Sequence, residues 1–202
     1  MIYLEEEFEV FKETLKEVEP RFDMKKADGQ ILKSIFAWVW KCDKMNVLEW
    51  EYNKGLFFYG SLGRGKSMTL FALREYLRKI RNRYPRNHAA DYRLGTYWQS
   101  ASQLANKYAH DGQYGIDEFF EPECCLFIDE LGREPIPASN YGTKMNVMQF
   151  LLQMRYDNRR RCVTHVTTNL SLEEVATHYG GYVADRCLEM FNFVLFTGES
   201  FR

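Results

Sequence analysis

Apolar positions in this chain recur with two different periods. Leu4, Phe8, Phe11, Leu15 and Val18 share one helical stripe with acids between them, and Pro20 closes the segment. Such a stripe packs on its own core or docks on a partner. Ile31, Leu32, Ile35, Phe36, Val39 and Trp40 predict a second helix, with Asp28 as its N-cap. Leu56-Phe57-Phe58-Tyr59 is a short unbroken apolar run, the mark of a buried strand. Met68, Leu70, Phe71, Leu73, Leu77 and Ile80 then return to helical spacing, predicting a helix over 67–83 that stops before Pro85. Residues 93–98 read as a strand, 100–110 as a helix and 111–115 as a loop. The run from Cys124 to Ile128 reads as a strand covered on both faces. A loop with Pro135 and Pro137 is expected over 131–143, and a helix from Val147 to Arg161. The β-branched stretch 162–169 reads as a strand, 171–178 as a helix. Val183, Cys187, Leu188 and Met190 mark a further helix, and 193–196 a last strand. Strands alternating with helices predict an α/β fold in three layers, α/β/α, around a mostly parallel central sheet.

Composition narrows the class. The 202 residues suit one domain with a small appendage, and a hydrophobic fraction of 46% supports a sizeable core. A net charge of -1 excludes a globally basic nucleic-acid binder but leaves room for a local basic patch. Arg74, Arg78, Lys79, Arg81, Arg83 and Arg86 could contact phosphates, or form a solvated helix end that complements the dipole. The five cysteines show no C-x-x-C spacing and read as free thiols in a reducing compartment. The four histidines show no ligand spacing. An acidic N-terminus and the lack of any run long enough for a membrane span point to a cytoplasmic protein. Nothing over 1–54 reads as a separate domain, so 1–54 is expected to be a helical extension packed on a core spanning 55–202.

The chemistry concentrates in three places. Gly60-Ser61-Leu62-Gly63-Arg64-Gly65-Lys66-Ser67 fits G-x-x-x-x-G-K-[ST], the P-loop, between a predicted strand and a predicted helix. Its glycines let backbone N–H groups turn inward around a phosphate chain, and the helix N-terminus adds positive potential. Residues Gly60 to Met68 are therefore the candidate nucleotide cradle. Lys66 would reach the β- and γ-phosphates, and Ser67 would take one site on Mg²⁺. Asp129 and Glu130 follow the apolar run at 124–128, at the carboxyl end of a strand, where open α/β sheets bind ligands. In this Walker B arrangement Asp129 would hold Mg²⁺ and Glu130 would polarise the attacking water as general base. Asn169 ends a strand too. It could bond the water or the γ-phosphate, or serve as a turn residue opening the next helix.

These pieces resemble the helicase-loader and transposition-helper ATPases, the DnaC/DnaI/IstB group of the AAA+ superfamily. The resemblance rests on G-S-L-G-R-G-K-S at 60–67, L-F-I-D-E-L-G-R-E-P at 126–135, M-R-Y-D-N-R at 154–159, T-T-N-L at 167–170, R-C-L-E-M-F at 186–191 and G-E-S-F-R at 198–202. It implies the AAA+ (ASCE-type) P-loop fold with strand order 5-1-4-3-2, and MgATP hydrolysis that is weak in an isolated subunit. It implies a sensor 1 role for Asn169, an arginine finger at Arg186 acting on a neighbouring subunit's ATP, and a sensor 2 role for Arg202. Residues just before the P-loop would help hold the adenine. The implied partners are other copies of the chain, single- or double-stranded DNA, and a replicative helicase or a transposase; no membrane is implied. The family's loaders carry an N-terminal helicase-gripping domain, in some cases with zinc-binding cysteines. Here only about 54 residues precede the core, without such cysteines, so helicase binding does not follow. Two other classes compete: an ATP-gated adaptor with incidental hydrolysis, and a small-molecule kinase. Glu130 beside Asp129 argues against the kinase, because it favours water as acceptor.

Overall fold

The structure, a computed structural model, describes residues 3–23, 27–84, 95–120, 124–159 and 161–197. Two helices lead the chain, α1 (Leu4–Val18) and α2 (Gly29–Trp40). β1 (Gly55–Tyr59) and α3 (Lys66–Arg83) flank the P-loop. β2 (Gly95–Ser100) runs into α4 (Ala101–Asp111), then β3 (Cys124–Leu131). After it come the short strands β4 (Ala138–Asn140) and β5 (Thr143–Met145), then α5 (Val147–Asp157). β6 (Val163–Thr168), α6 (Leu172–Tyr179), α7 (Gly181–Met190) and β7 (Phe191–Leu195) complete it.

The central sheet has the order β2-β3-β6-β1-β7, and its pairs are parallel. Setting aside the separate β4–β5 hairpin, its strands in chain order read 5-1-4-3-2 from the β7 edge. The pleat divides the strand residues between two cores. Leu56, Phe58, Cys125 and Phe127 join α1, α2 and α3 on one face. Phe57, Leu126, Ile128 and Val166 join residues of α4, α5, α6 and α7 on the other. This is the expected three-layer α/β/α arrangement with a parallel sheet. At 11–18 residues apiece, α3, α4 and α5 supply the helical layers that bury both faces of such a sheet.

Local chemistry sets the boundaries. Asp28 caps α2, its carboxylate accepting from the N–H groups of Gln30 and Ile31. Ser100 and Ser171 each form a reciprocal capping box, with Gln103 and Glu174. Three expectations change in detail. The segment 131–143 is more than a loop: Ala138 to Met145 pair as a hairpin around Tyr141-Gly142, both at positive φ. Helix α5 ends at Asp157 rather than Arg161, because the chain turns there through Asn158 to enter β6. Of the strand expected at 93–98, residues 93 and 94 lie outside the described residues, and β2 continues to Ser100.

Acids between the apolar positions of a helix ordinarily face water. Glu7 departs from that: it is 3% exposed. Its carboxylate accepts from Arg83 Nη1 at 2.5 Å and Tyr84 Oη at 2.7 Å, while Tyr76 Oη donates to its carbonyl at 3.1 Å. Trp40 Nε1 donates to Tyr76 Oη at 2.8 Å, which brings α2 into the network. A buried carboxylate is stable only with such partners. Lys79 pairs with Glu17 and Thr14 of α1, and Arg74 and Arg78 pair with Glu75. The basic end of α3 is thus engaged largely within the chain, Arg86 lying outside the described residues.

Arg155 is a second buried charge. On α5 it occupies an apolar stripe, yet it is fully buried, and among the described residues no carboxylate pairs with it. Its guanidinium donates to Thr164 Oγ1 (2.5 Å), Phe119 O (2.7 Å), Val163 O (2.7 Å) and both Cys124 O and Sγ (3.1 Å each). Main-chain dipoles satisfy its fork, and it knits α5 to β3 and β6. His165, on β6, is buried too. It stacks on Phe127, meets the edge of Trp38, and accepts at Nδ1 from Leu56 N at 3.2 Å. Burial pushes its pKa down to about 3, with the Arg155 charge adding to the effect. No described helix is long and apolar enough to cross a membrane.

Candidate active site

The P-loop folds as its glycines require. Gly60, Gly63 and Gly65 have φ of 122°, 76° and 84°, the left-handed side that L-residues avoid. At Gly60 a Cβ would lie 2.6 Å from the carbonyl oxygen of Phe196, a backbone atom that cannot step aside. The loop therefore turns tightly at the carboxyl end of β1 and delivers Lys66 as the first residue of α3.

Lys66 is only 7% exposed. Its Nζ donates to Gly60 O at 2.6 Å, Ser61 O at 2.7 Å and Asn169 Oδ1 at 2.9 Å, which uses all three protons. Burial lowers its pKa; Asp129 and Glu130 pull the other way, and Arg64 adds to the lowering. The Asn169 bond joins the end of β6 to the P-loop across 103 residues of sequence. Asn169 lines the cleft, and the cap of α6 is Ser171 rather than Asn169.

The two acids sit on a β-bulge. Ile128 pairs with Val166 and Leu131 with Thr168, so Asp129 and Glu130 together oppose Thr167. Glu130 takes φ 57°, a strained value for a non-glycine residue. Thr167 holds the distortion from both sides: Glu130 N donates to Thr167 Oγ1 at 3.0 Å, and that hydroxyl donates to Asp129 Oδ1. Thr168 Oγ1 donates to Leu131 O at 2.7 Å. Beyond the bulge the buried Glu134 accepts from Gly132 N and from Tyr179 Oη, tying the following turn to α6. The bulge re-aims Glu130, which is exposed and lines the cleft.

That cleft has a volume of about 560 Å³, within the range of small-molecule sites. Leu62 to Met68, Glu130 and Thr167 to Asn169 line it. Gly60 and Ser61 contribute the carbonyls that hold Lys66. Asp129 stands behind Thr167, close enough to raise the Lys66 pKa. Glu19, Arg21 and Phe22, from the α1–α2 connection, complete the lining. Sequence reading missed these three and looked instead to residues just before the P-loop. Their one signal was a cation and an aromatic directly after the helix-ending Pro20.

Two expected residues stand apart. Arg186 lies on α7, away from the cleft of its own chain, over the rings of Tyr156 and Tyr182 and 3.9 Å from Asp157. Arg202 lies outside the described residues.

The residues fit a magnesium-bound nucleoside triphosphate. The cradle accepts no side chain at Gly60, the buried ammonium of Lys66 stands at its floor, and Ser67 and Asp129 offer the hard oxygen donors Mg²⁺ prefers.

No family model matches the sequence, and no curated protein matches it. Among solved structures the chain is similar to DnaI, with a TM-score of 0.60 at 23% identity over 95% of this chain and 93% of that one. It is similar to a candidate primosome component from Streptococcus pyogenes serotype M3 (TM-score 0.58, 19% identity, 90% and 88% covered). It is similar to the DnaC helicase loader (TM-score 0.54, 16% identity, 89% and 96% covered). At these identities the likeness is one of fold, and two of the three carry the names DnaI and DnaC of the group that the motifs resemble.

Proposed function

We propose that this chain is an ATP-binding and ATP-hydrolysing AAA+ subunit of the DnaC/IstB type, built from an ATPase core over 55–202 and a helical extension over 1–54. The observation that carries the reading is the meeting of Lys66 with Asn169, in the cleft that Glu130 enters from its bulge. Lys66 holds the β- and γ-phosphates. Ser67 and Asp129 would hold Mg²⁺, which would supply positive charge against the charge that develops on the phosphates. Glu130 takes a proton from the attacking water, and Asn169 orients that water or the γ-phosphate. Arg186 serves a neighbouring subunit's ATP, and Arg202 its own. An arginine supplied in trans accelerates such transfers by roughly 10³–10⁵, so the isolated subunit is a slow ATPase. Likeness in fold to DnaI and to the DnaC helicase loader supports a place in DNA replication; the motif resemblance extends equally to transposition. Other copies of the chain, DNA, and a replicative helicase or transposase are the proposed partners, in the cytoplasm.

The test is ATP turnover against protein concentration, with and without single-stranded DNA. A rate that rises with both, and is lost in Lys66→Ala together with ATP binding, supports the reading. Turnover unchanged in Lys66→Ala overturns it.

One observation favours a second reading, an ATP-gated adaptor. Helix α3 begins at Lys66 and ends at Arg83, where Glu7 of α1 grips it. A negligible, concentration-independent rate with ATP-dependent partner capture would select the adaptor.

A further inference from the structure

Arg186 is held in an unusual setting for an exposed face. Its Cζ lies 3.8 Å from the ring centroid of Tyr182 and 4.3 Å from that of Tyr156. Tyr182 and Arg186 are four residues apart on α7, so they share one face of the helix. Tyr156 comes from the end of α5 and is itself fixed. Its hydroxyl donates to Glu189 Oε2 at 2.9 Å, and Arg159 Cζ lies 4.0 Å from its ring. Glu189, on α7, also accepts from Arg159 Nη2 at 3.3 Å. The bond to Glu189 raises the Tyr156 pKa above its ordinary value.

Stacking uses the faces of a guanidinium and leaves its rim of N–H donors unspent. Among the described residues Arg186 donates no hydrogen bond, and its nearest acid is Asp157 at 3.9 Å. Yet the Arg186 side chain is only 17% exposed, because the two rings cover it. Tyr182 is 58% exposed, so core packing does not explain an aromatic there. The arrangement holds an arginine between two rings and leaves its N–H edge without a hydrogen bond among the described residues.

We propose that Tyr182 and Tyr156 are positioning residues that clamp Arg186 so that its N–H edge meets the triphosphate bound by a second copy of this chain. The proposal rests on the reading of Arg186 as an arginine acting in trans. A free arginine surrenders several rotamers when its fork engages phosphate. The clamp makes that surrender in advance, and the cost leaves the encounter between subunits.

The test measures ATP turnover of the full chain against protein concentration, for wild type, Arg186→Ala, Tyr182→Phe, Tyr182→Leu and Tyr182→Ala. The Phe variant keeps the ring and the wild-type rate. The Leu and Ala variants lower the plateau rate about fivefold, the order of a partly exposed cation–π contact, and raise the concentration at half-stimulation, with KM for ATP unchanged. In parallel, the Arg186 Nε–H NMR signal, shifted by the rings in wild type, is retained in Phe and moves to the free-arginine position in Leu. Leu and Phe variants that match wild type in rate and spectrum overturn the clamp, while a dead Arg186→Ala leaves the in-trans reading standing. An Arg186→Ala variant that keeps the stimulated rate overturns that reading and the clamp with it.

Discussion

Thr167 binds Asp129 through one hydroxyl that also receives the N–H of Glu130. A single side chain on β6 thus fixes the direction of both acids on β3. It does so at the bulge, where the pairing of β3 with β6 is interrupted.

Removing that hydroxyl tests how far catalysis depends on it. Thr167→Val keeps the shape but leaves Glu130 N without its acceptor, a loss of about 1–3 kcal/mol. ATP turnover is expected to fall about tenfold while ATP affinity, read by isothermal titration, changes little. An unchanged rate would mean that the bulge holds its shape without Thr167.

Glu130 carries both the strain and the proposed base. Glu130→Gln should bind ATP and scarcely hydrolyse it. Glu130→Gly should be equally inactive yet more stable by about 1 kcal/mol, because glycine takes φ 57° without strain. Thermal unfolding checks this: a higher Tm in the inactive Gly variant marks backbone strain retained for function.

The grip of Glu7 on α3 is a stability claim. Glu7→Ala strands the hydroxyl of Tyr84 and frees Arg83, which is half exposed and so returns partly to water, while Tyr76 keeps its bond to the main-chain carbonyl. The expected cost is about 2 kcal/mol, below that of breaking a fully buried pair. It reads as a lower denaturant midpoint, with faster amide exchange concentrated in α1. A surface acid such as Glu5 mutated alike should change nothing measurable.

His165 gives a pH signature. Its folded pKa, about 3, is depressed below the ordinary value of 6.5, so the unfolded chain binds the proton more readily. The contribution is fully present above pH 6.5 and is lost as pH falls from there towards 3, at about 1.4 kcal/mol per pH unit in that window. The His165 ring nitrogens, followed by NMR, should show no titration between pH 8 and 5. A midpoint near 6.5 would sink the claim.

Much of this was legible from the letters because it obeys local rules. The P-loop glycines, the cap at Asp28, and the apolar runs of β1 and β3 each declare their element within a few residues. What escaped depends on contacts made across the fold. Glu7 reads as a solvated acid until Arg83 and Tyr84, more than 70 positions later, are brought to it. Arg155 reads as a stray charge on an apolar stripe, and its partners are mostly carbonyls, which carry no sequence signal. The lining by Glu19, Arg21 and Phe22 needed the α1–α2 connection folded over the cleft. The bulge at Glu130 is invisible in the pattern, because one inserted residue leaves the apolar run intact.

Helix α3 has one end in the phosphate cradle and the other in the hand of α1. Its 18 residues form a rod of ~27 Å at 1.5 Å per residue. On the proposed function, that rod is a single rigid link between the nucleotide cleft and α1, so a partner docked on α1 would touch the element that begins with Lys66.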